Sequence, residues 1–366
     1  MLDKERIPSY LLDDIQKPGT KLYISRSWKI REYSSRLWLY NESAGSVDFD
    51  ISDATARMVS LIAKGNAVVG DATKISADSW LRILLYLWKN DILRIAEDGN
   101  IRVSTAPSRY IWFEEYLRRY ASPSWSINQM LAALASSKVC VIGLGGLGAT
   151  LGLSLAASGI GSIKLVDGDA IEESNLPRQI LYSEQSIGRN KANVLRDVIL
   201  SNNSATDVDV HPAFISSSED AVAATKGCDL VALCADQPRF KIRNWVGKAC
   251  LERKIPYVFM AGQWVGPLSV PGASPCYACV GRFHGSRISD VPGYLEMHSS
   301  EEIPPRASFG PRPLVLAGFI SAAIMHFLAG IDRESLLSRR FKCDLQGRLE
   351  EEELVRYRNC PVCGSR

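Results

Sequence analysis

The chain has 366 residues, long enough for two domains. Its 46% apolar and 23% charged content is ordinary for a globular protein. A net charge of +3 without any Lys/Arg block argues against a nucleic-acid partner, and Met1 to Lys17 mixes charges with no apolar core, unlike a signal peptide.

Taken in chain order, Lys21–Trp28 and Lys29–Tyr40 are rich in Tyr, Trp, Ile and Leu and read as two strands. Asp53–Ala63 is helical by pattern, with Ser52 or Asp53 as N-cap. Ser76–Lys89 is an amphipathic helix carrying Leu81, Leu84, Leu85 and Leu87. Ile92–Ile95 and Ile101–Val103 flank an Asp-Gly turn and form a hairpin. Residues 1–105 are thus expected to be a small winged-helix-like α+β module. It lacks a basic recognition helix, which favours a peptide-binding or structural role over DNA binding. Residues 106–137 read as a helical linker, with helical stretches at Arg109–Tyr120 and Ser126–Ser136.

From 138 onward strands alternate with helices, the strands falling at 138–142, 163–167, 207–211, 229–234 and 256–260. That alternation predicts an α/β, Rossmann-like doubly wound and mainly parallel sheet over 138–366. Leu314–Ile331 is almost wholly apolar and near the length of a membrane span. It reads as a helix buried between domains or subunits, because a lone span there would strand the final cysteine pair from its partner. No membrane association is expected.

The densest signal runs from Val139 to Lys191. An apolar strand leads into Gly143, Gly145, Gly146 and Gly148, and a helix follows. Such a turn lets phosphate approach the backbone and meet the free N–H groups of the helix start. Asp167 lies 24 residues beyond Gly143 at the end of the second strand, where a carboxylate can accept from ribose hydroxyls. Asp169 follows it. To that point a dinucleotide-dependent dehydrogenase fits equally well. Asn175, Arg178, Gln179 and Lys191 then add cations and amides that hydride transfer has no evident use for, and that suit a reacting triphosphate. A solvated polar loop is the plainer reading of this cluster. Asp236 follows the apolar strand Leu230–Leu233 and is placed to hold Mg2+ beside phosphates; the plainer reading is a helix N-cap. No Walker lysine motif occurs.

Nine cysteines without a secretory signal favour a reducing, cytoplasmic setting. Cys276-x-x-Cys279 and Cys360-x-x-Cys363 have the spacing of two zinc knuckles, whose four thiolates would complete a structural Zn2+ site. Redox-active thiols are the alternative. Cys140 and Cys234 read as core cysteines in apolar strands.

Together the glycine run, Asp167-x-Asp169, the Ser174–Gln179 segment and Lys191 resemble the ThiF/MoeB branch of the ubiquitin-activating superfamily, over about 138–366. The resemblance implies ATP-dependent adenylation of a peptide carboxylate. Asp167 would hold the ribose, Asn175, Arg178, Gln179 and Lys191 the phosphates, and Asp236 the Mg2+. It also implies a homodimer. The family's preceding Arg-Tyr-x-Arg element is incomplete, since Arg109-Tyr110 is followed by Ile111-Trp112. Arg109 and Arg118 are the available substitutes. Phe283–Pro313 contains no cysteine, which argues against thioester or persulfide chemistry.

The combination with the front module is similar to enzymes that modify ribosomally made antibiotic peptides, of microcin and pantocin type. By that likeness residues 1–105 recognise the leader of a precursor peptide, with Tyr23–Trp28 and the opposing strand as contacts, and hold it as an added strand. The function implied is ATP- and Mg2+-dependent activation of a carboxyl or amide group on that peptide. The rival readings are a sulfur-carrier adenylyltransferase of thiamin or molybdopterin type and a non-catalytic nucleotide-binding scaffold.

Overall fold

The computed structural model describes residues 108–261, 264–290, 310–331, 337–344 and 348–364, with parts of 13–95. The chain divides into two compact units, Met1–Leu131 and Ala132–Arg366. Residues 101–103 and most of 53–63 lie outside the described residues.

In the first unit, β1 (Lys21–Ile24) is the middle strand between β5 (Ala67–Val68) and β6 (Leu93–Ile95), both antiparallel to it. A second sheet consists of β2 (Lys29–Tyr33), β3 (Arg36–Asn41) and β4 (Gly45–Asp50) in that order. The single strand expected over Lys29–Tyr40 is therefore a hairpin, with Tyr33 paired to Arg36. Its apolar residues read as one run because only Ser34-Ser35 separates the two strands. Leu37 and Leu39 point inward while Arg36, Trp38 and Tyr40 face water, the period of two that a half-buried strand requires. Helix α1 (Ala77–Lys89) buries Leu84, Leu85 and Leu87 in one cluster with Leu22, Leu39 and Ile92. Helix α2 (Ile111–Leu117) follows, and α3 (Ile127–Ser136) leads to the second unit.

The second unit is built on an eight-stranded sheet. Strands β7 (Lys138–Ile142), β8 (Ser162–Val166), β9 (Asp207–His211), β10 (Leu230–Leu233) and β11 (Tyr257–Ala261) are mutually parallel in the order β11-β10-β7-β8-β9. Antiparallel β12 (Trp264–Ser269), β13 (Arg339–Cys343) and β14 (Leu349–Glu353) extend it beyond β11. Parallel strands covered on both faces need continuous apolar runs, and β10 is buried at every position while β7 is buried at all but its first. The connecting helices are α4 (Gly146–Ala157), α5 (Lys191–Asn202), α6 (Ser218–Thr225) and α7 (Lys241–Glu252), followed by α8 (Tyr277–Gly285) and α9 (Pro311–Leu328).

Chain order reverses beside β7: β8 and β9 lie to one side and β10 to the other. A crevice opens at such a switch point, outside the carboxyl ends of the strands. The apolar stretch expected at 314–331 is α9, which packs along α4. Its length and composition would allow it to cross a membrane, and a third of it is buried within the fold.

The outer strands are pinned by Arg340, which is 1% exposed. Its guanidinium donates to Glu352 on β14, meets His284 of α8 and lies 4.5 Å from the Trp264 ring centroid. Burial, then the charge of Arg340, holds the His284 pKa below its ordinary value. The unfolded chain takes that proton first, so this contribution is complete above about pH 6.5 and drains as pH falls through that value toward the depressed folded pKa. The unfolding free energy is therefore expected to fall between pH 7 and 5.5, and His284→Gln to flatten that decline in urea titrations at each pH.

Candidate functional site

The carboxyl ends of β7, β8, β9 and β10 border a cavity of about 980 Å³. Gly143 turns the chain off β7 with φ +88°, a backbone that a side chain would strain, and its N–H donates to Val166 O at 2.9 Å. Helix α4 then begins at Gly146, aiming its first N–H groups at the crevice. A Cβ on Gly148 would stand 1.9 Å from the Gly143 carbonyl oxygen, so the loop closes only around glycine there.

Asp167 locks this loop to the second strand. One carboxylate oxygen accepts from Leu144 N–H at 2.6 Å and the other from Asp169 N–H at 2.8 Å. Burial raises its pKa above the ordinary carboxylate value, although those two donors and Lys191 pull the other way. Lys191, at the first position of α5, is itself buried, and its Nζ lies 2.9 Å from Asp169 Oδ2. Asn190 makes that pairing possible. Its carboxamide NH2 donates to the carbonyls of Asp167 and Asp169, and its Oδ1 accepts from Ala192 and Asn193 N–H as the N-cap of α5.

The cavity is lined by Gly143, Gly145, Gly146, Asp167, Asp169 and Lys191. From the following turn come Arg178 and Gln179, and from the end of β10 comes Asp236. Arg178 Nη1 donates to Ser174 O at 2.7 Å. Gln179 is 4% exposed, and its Oε1 is buried without a hydrogen-bond partner. The orphaned atom is an acceptor, so it fits a ligand that offers an N–H or O–H there, and only the amide nitrogen of Gln179 can serve an anion. Asp236 is exposed and is not the N-cap of α7, which is Phe240. Asn175 and Gly148 do not line the cavity. The Asn175 side chain is instead engaged in a capping box with Glu172.

Cys234 corrects an expectation. It lies one residue past β10, on the cavity wall rather than in the strand core, and burial pushes its thiol up to about 12. Cys140 is a core residue as expected. Three contributors carry no motif. Tyr182 donates to Leu144 O at 2.8 Å and props the glycine loop from below. Asn190 is a common loop residue whose role exists only through distant carbonyls. Ala213–Ser216, beyond β9, supplies a largely apolar wall that includes Phe214. None of the three is separated from ordinary loop composition by sequence alone.

Away from the cavity, Cys276, Cys279, Cys360 and Cys363 gather with all four sulfurs within 4.8 Å of one another. Sγ–Sγ separations are 3.9 Å for Cys276–Cys279, 3.7 Å for Cys276–Cys360 and 3.5 Å for Cys279–Cys363. Four thiolates about 2.3 Å from a tetrahedral Zn2+ would stand about 3.8 Å apart, so the donor set fits that ion. None of the four lines the cavity.

Residues 116–362 match the ThiF family. Among curated proteins, molybdopterin-synthase adenylyltransferase of Escherichia coli K12 is 33% identical over 158 residues, covering 42% of this chain and 62% of that enzyme. Adenylyltransferase and sulfurtransferase MOCS3 of Mus musculus is 36% identical over 169 residues, 45% of this chain and 36% of that one. The matched stretch thus spans less than two thirds of either relative. Among solved structures, E. coli MccB with ATP has a TM-score of 0.70 at 24% identity, covering 94% of this chain and all of that one. MccB with selenomethionine MccA has a TM-score of 0.71 at 25% identity with the same coverage. PaaA has a TM-score of 0.61 at 20% identity, covering 90% of this chain and 99% of PaaA.

The close approach at Gly148 gives a direct test. Gly148→Ala should lower the unfolding free energy by about 1–3 kcal/mol through overpacking. Gly281→Ala in α8, where an added Cβ meets nothing within 4 Å, should be neutral or slightly stabilising in the same urea titration.

Proposed function

The chain belongs to the ThiF family, whose adenylyltransferase fold it shares, and we propose that it activates a carboxyl or amide group of a ribosomally made precursor peptide with ATP. The observation that carries this reading is the convergence of Asp167, Asp169, Arg178, Gln179, Lys191 and Asp236 on one cavity at the switch point of the sheet. In the adenylation form, a peptide carboxylate oxygen attacks the α-phosphorus. The bond to the bridging oxygen breaks, and acyl-adenylate and pyrophosphate form. Lys191 and Arg178 offset charge on the phosphates, and the N–H groups at the start of α4 and the Gln179 amide nitrogen donate to phosphate oxygens. Asp236 would hold Mg2+ as one carboxylate ligand, with phosphate oxygens and water completing its shell. Bound there, the ion neutralises phosphate charge.

Two observations favour a peptide over a sulfur carrier. The likeness to MccB extends over 94% of the chain, first unit included, whereas the match to molybdopterin-synthase adenylyltransferase covers 42%. Phe283–Pro313 also offers no cysteine to receive an activated acyl group. MccB itself was solved with the MccA peptide. By this reading the first unit binds the leader as an added strand, raising the effective concentration of the reacting group. Val315 and Phe319, exposed on α9, would be covered in a homodimer. The setting is cytoplasmic, where the four clustered thiols stay reduced and bind Zn2+.

The curated relatives supply the second reading, activation of a sulfur-carrier protein. Pyrophosphate release distinguishes the two when the chain is offered the short peptide encoded beside its gene or a carrier ending in Gly-Gly. Stimulation by the peptide, lost about 100-fold or more in Asp236→Ala, is expected. Stimulation by the carrier alone would overturn the peptide reading, and ATP–pyrophosphate exchange would separate adenylation from phosphorylation. For the metal, purified protein should contain one zinc per chain by atomic absorption. Cys279→Ser should lose it and unfold at lower temperature; metal-free protein of unchanged stability would refute the site.

A further inference from the structure

The cavity has a feature that the phosphate and ribose contacts leave unused. Phe214 lies three residues past the end of β9, lines the cavity and is 62% exposed. Its ring packs against Gly168, between the two site aspartates. A Cβ built on Gly168 would come within 2.6–2.7 Å of three Phe214 ring carbons. Only glycine at 168 lets the ring sit there. The neighbouring wall is apolar as well, formed by Ala213, Ile215 and Val166.

Strand order places this wall relative to the rest of the cavity. Reading across the carboxyl ends gives β10, β7, β8, β9, which present Asp236, the glycine loop, Asp167 and Phe214 respectively. Three inter-strand steps put the Phe214 end roughly 14 Å from the Asp236 end. Of the anion-receiving groups, the start of α4, the neighbouring Arg178 and Asp236 with its proposed cation fall at the β7 and β10 end, and Lys191 lies against Asp169 just past β8. The ribose-type carboxylate, Asp167, sits between. What the segment beyond β9 adds, Ala213, Phe214 and Ile215 with Ser216 as the one polar side chain, is largely apolar and aromatic.

We propose that Phe214 is the base-facing residue of the nucleotide site, with its ring stacked on the purine and its position set by Gly168. This inference rests on the ATP reading of the cavity. Leaving a large aromatic ring mostly in water is uphill, and a planar base laid on its face removes both surfaces from solvent. Stacking of this kind is tolerant of base identity, because every base has a π-face. Phe214 therefore contributes affinity for a nucleobase rather than discrimination between purines, and acts on nucleotide binding rather than on the bond-making step.

The test is calorimetric titration of the full-length protein and its variants with Mg-ATP and, separately, with inorganic triphosphate, which has no base. Phe214→Ala should weaken ATP about tenfold, the order of a single base–aromatic stack, and leave triphosphate affinity unchanged. Phe214→Trp should retain ATP affinity. Phe214→Leu, which keeps the apolar cover without the π-face, should fall between and guards against a folding defect in the alanine variant. Equal losses of ATP and triphosphate, or unchanged ATP affinity in Phe214→Ala, would overturn the assignment while leaving the nucleotide reading intact. Wild-type protein that binds neither ligand would overturn the nucleotide reading and Phe214 with it.

Discussion

Asp167 accepts one hydrogen bond on each carboxylate oxygen, from Leu144 N–H and from Asp169 N–H, and the rest of the site is arranged around that clamp. The first bond ties the glycine loop of β7 to the end of β8. The second shapes the turn that delivers Asp169 to Lys191. A buried carboxylate is costly to ionise, and its raised pKa records that cost. The two N–H donors offset part of it. One comes from the glycine loop and the other from the turn after β8, so the same bonds that offset the burial of Asp167 hold both segments in place. Asn190 extends the clamp by bonding the carbonyls on either side of Gly168 and capping α5.

The supports on the far side of the sheet are separate from this clamp. Arg340 and Glu352 hold β13 and β14 together, and the four-cysteine cluster gathers the start of α8 with the C-terminal segment. Neither group lines the cavity. Their geometry fixes the outer part of the fold while the crevice is shaped by turns that follow β7 to β10. That division explains how a site made largely of loops can be preorganised: the loops after β7 and β8 start from strands paired on both sides, and Asp167, Tyr182 and Asn190 tie them to neighbouring segments.

Much of this architecture was readable from residue patterns, because parallel strands and glycine turns have local causes. All five parallel strands fall within one residue of their expected ends: β7 and β10 are apolar runs because both faces are buried, whereas the edge strand β9, Asp207–His211, alternates polar and apolar residues and is half-exposed. The cysteine pairs declared their meeting by spacing alone. What the pattern hid were relations between distant residues. Asn175 has the composition of a phosphate contact yet its side chain caps a 3-10 turn, because a carboxamide serves either purpose and local geometry decides. Cys234 read as strand interior, but β10 ends one residue earlier and turns it toward the cavity. Tyr182, Asn190 and Phe214 act through partners 21 to 46 residues away. No periodicity encodes such pairings.

The charges around the cavity carry the argument for a cation one step further. Its lining holds three carboxylates, Asp167, Asp169 and Asp236, against two cations, Arg178 and Lys191. Lys191 already lies against Asp169, and Asp167 is committed to the loop. A triphosphate entering that field brings several negative charges into a site that carries a net negative charge of its own. The helix start at Gly146 and the buried Gln179 amide supply dipoles, which are worth less than full charges against a polyanion. On the proposed ATP reading, a divalent cation beside Asp236 would resolve the imbalance, because it would reverse the sign of that carboxylate's effect on the phosphates. The exposed position of Asp236 suits this, since Mg2+ keeps much of its water and needs room to do so.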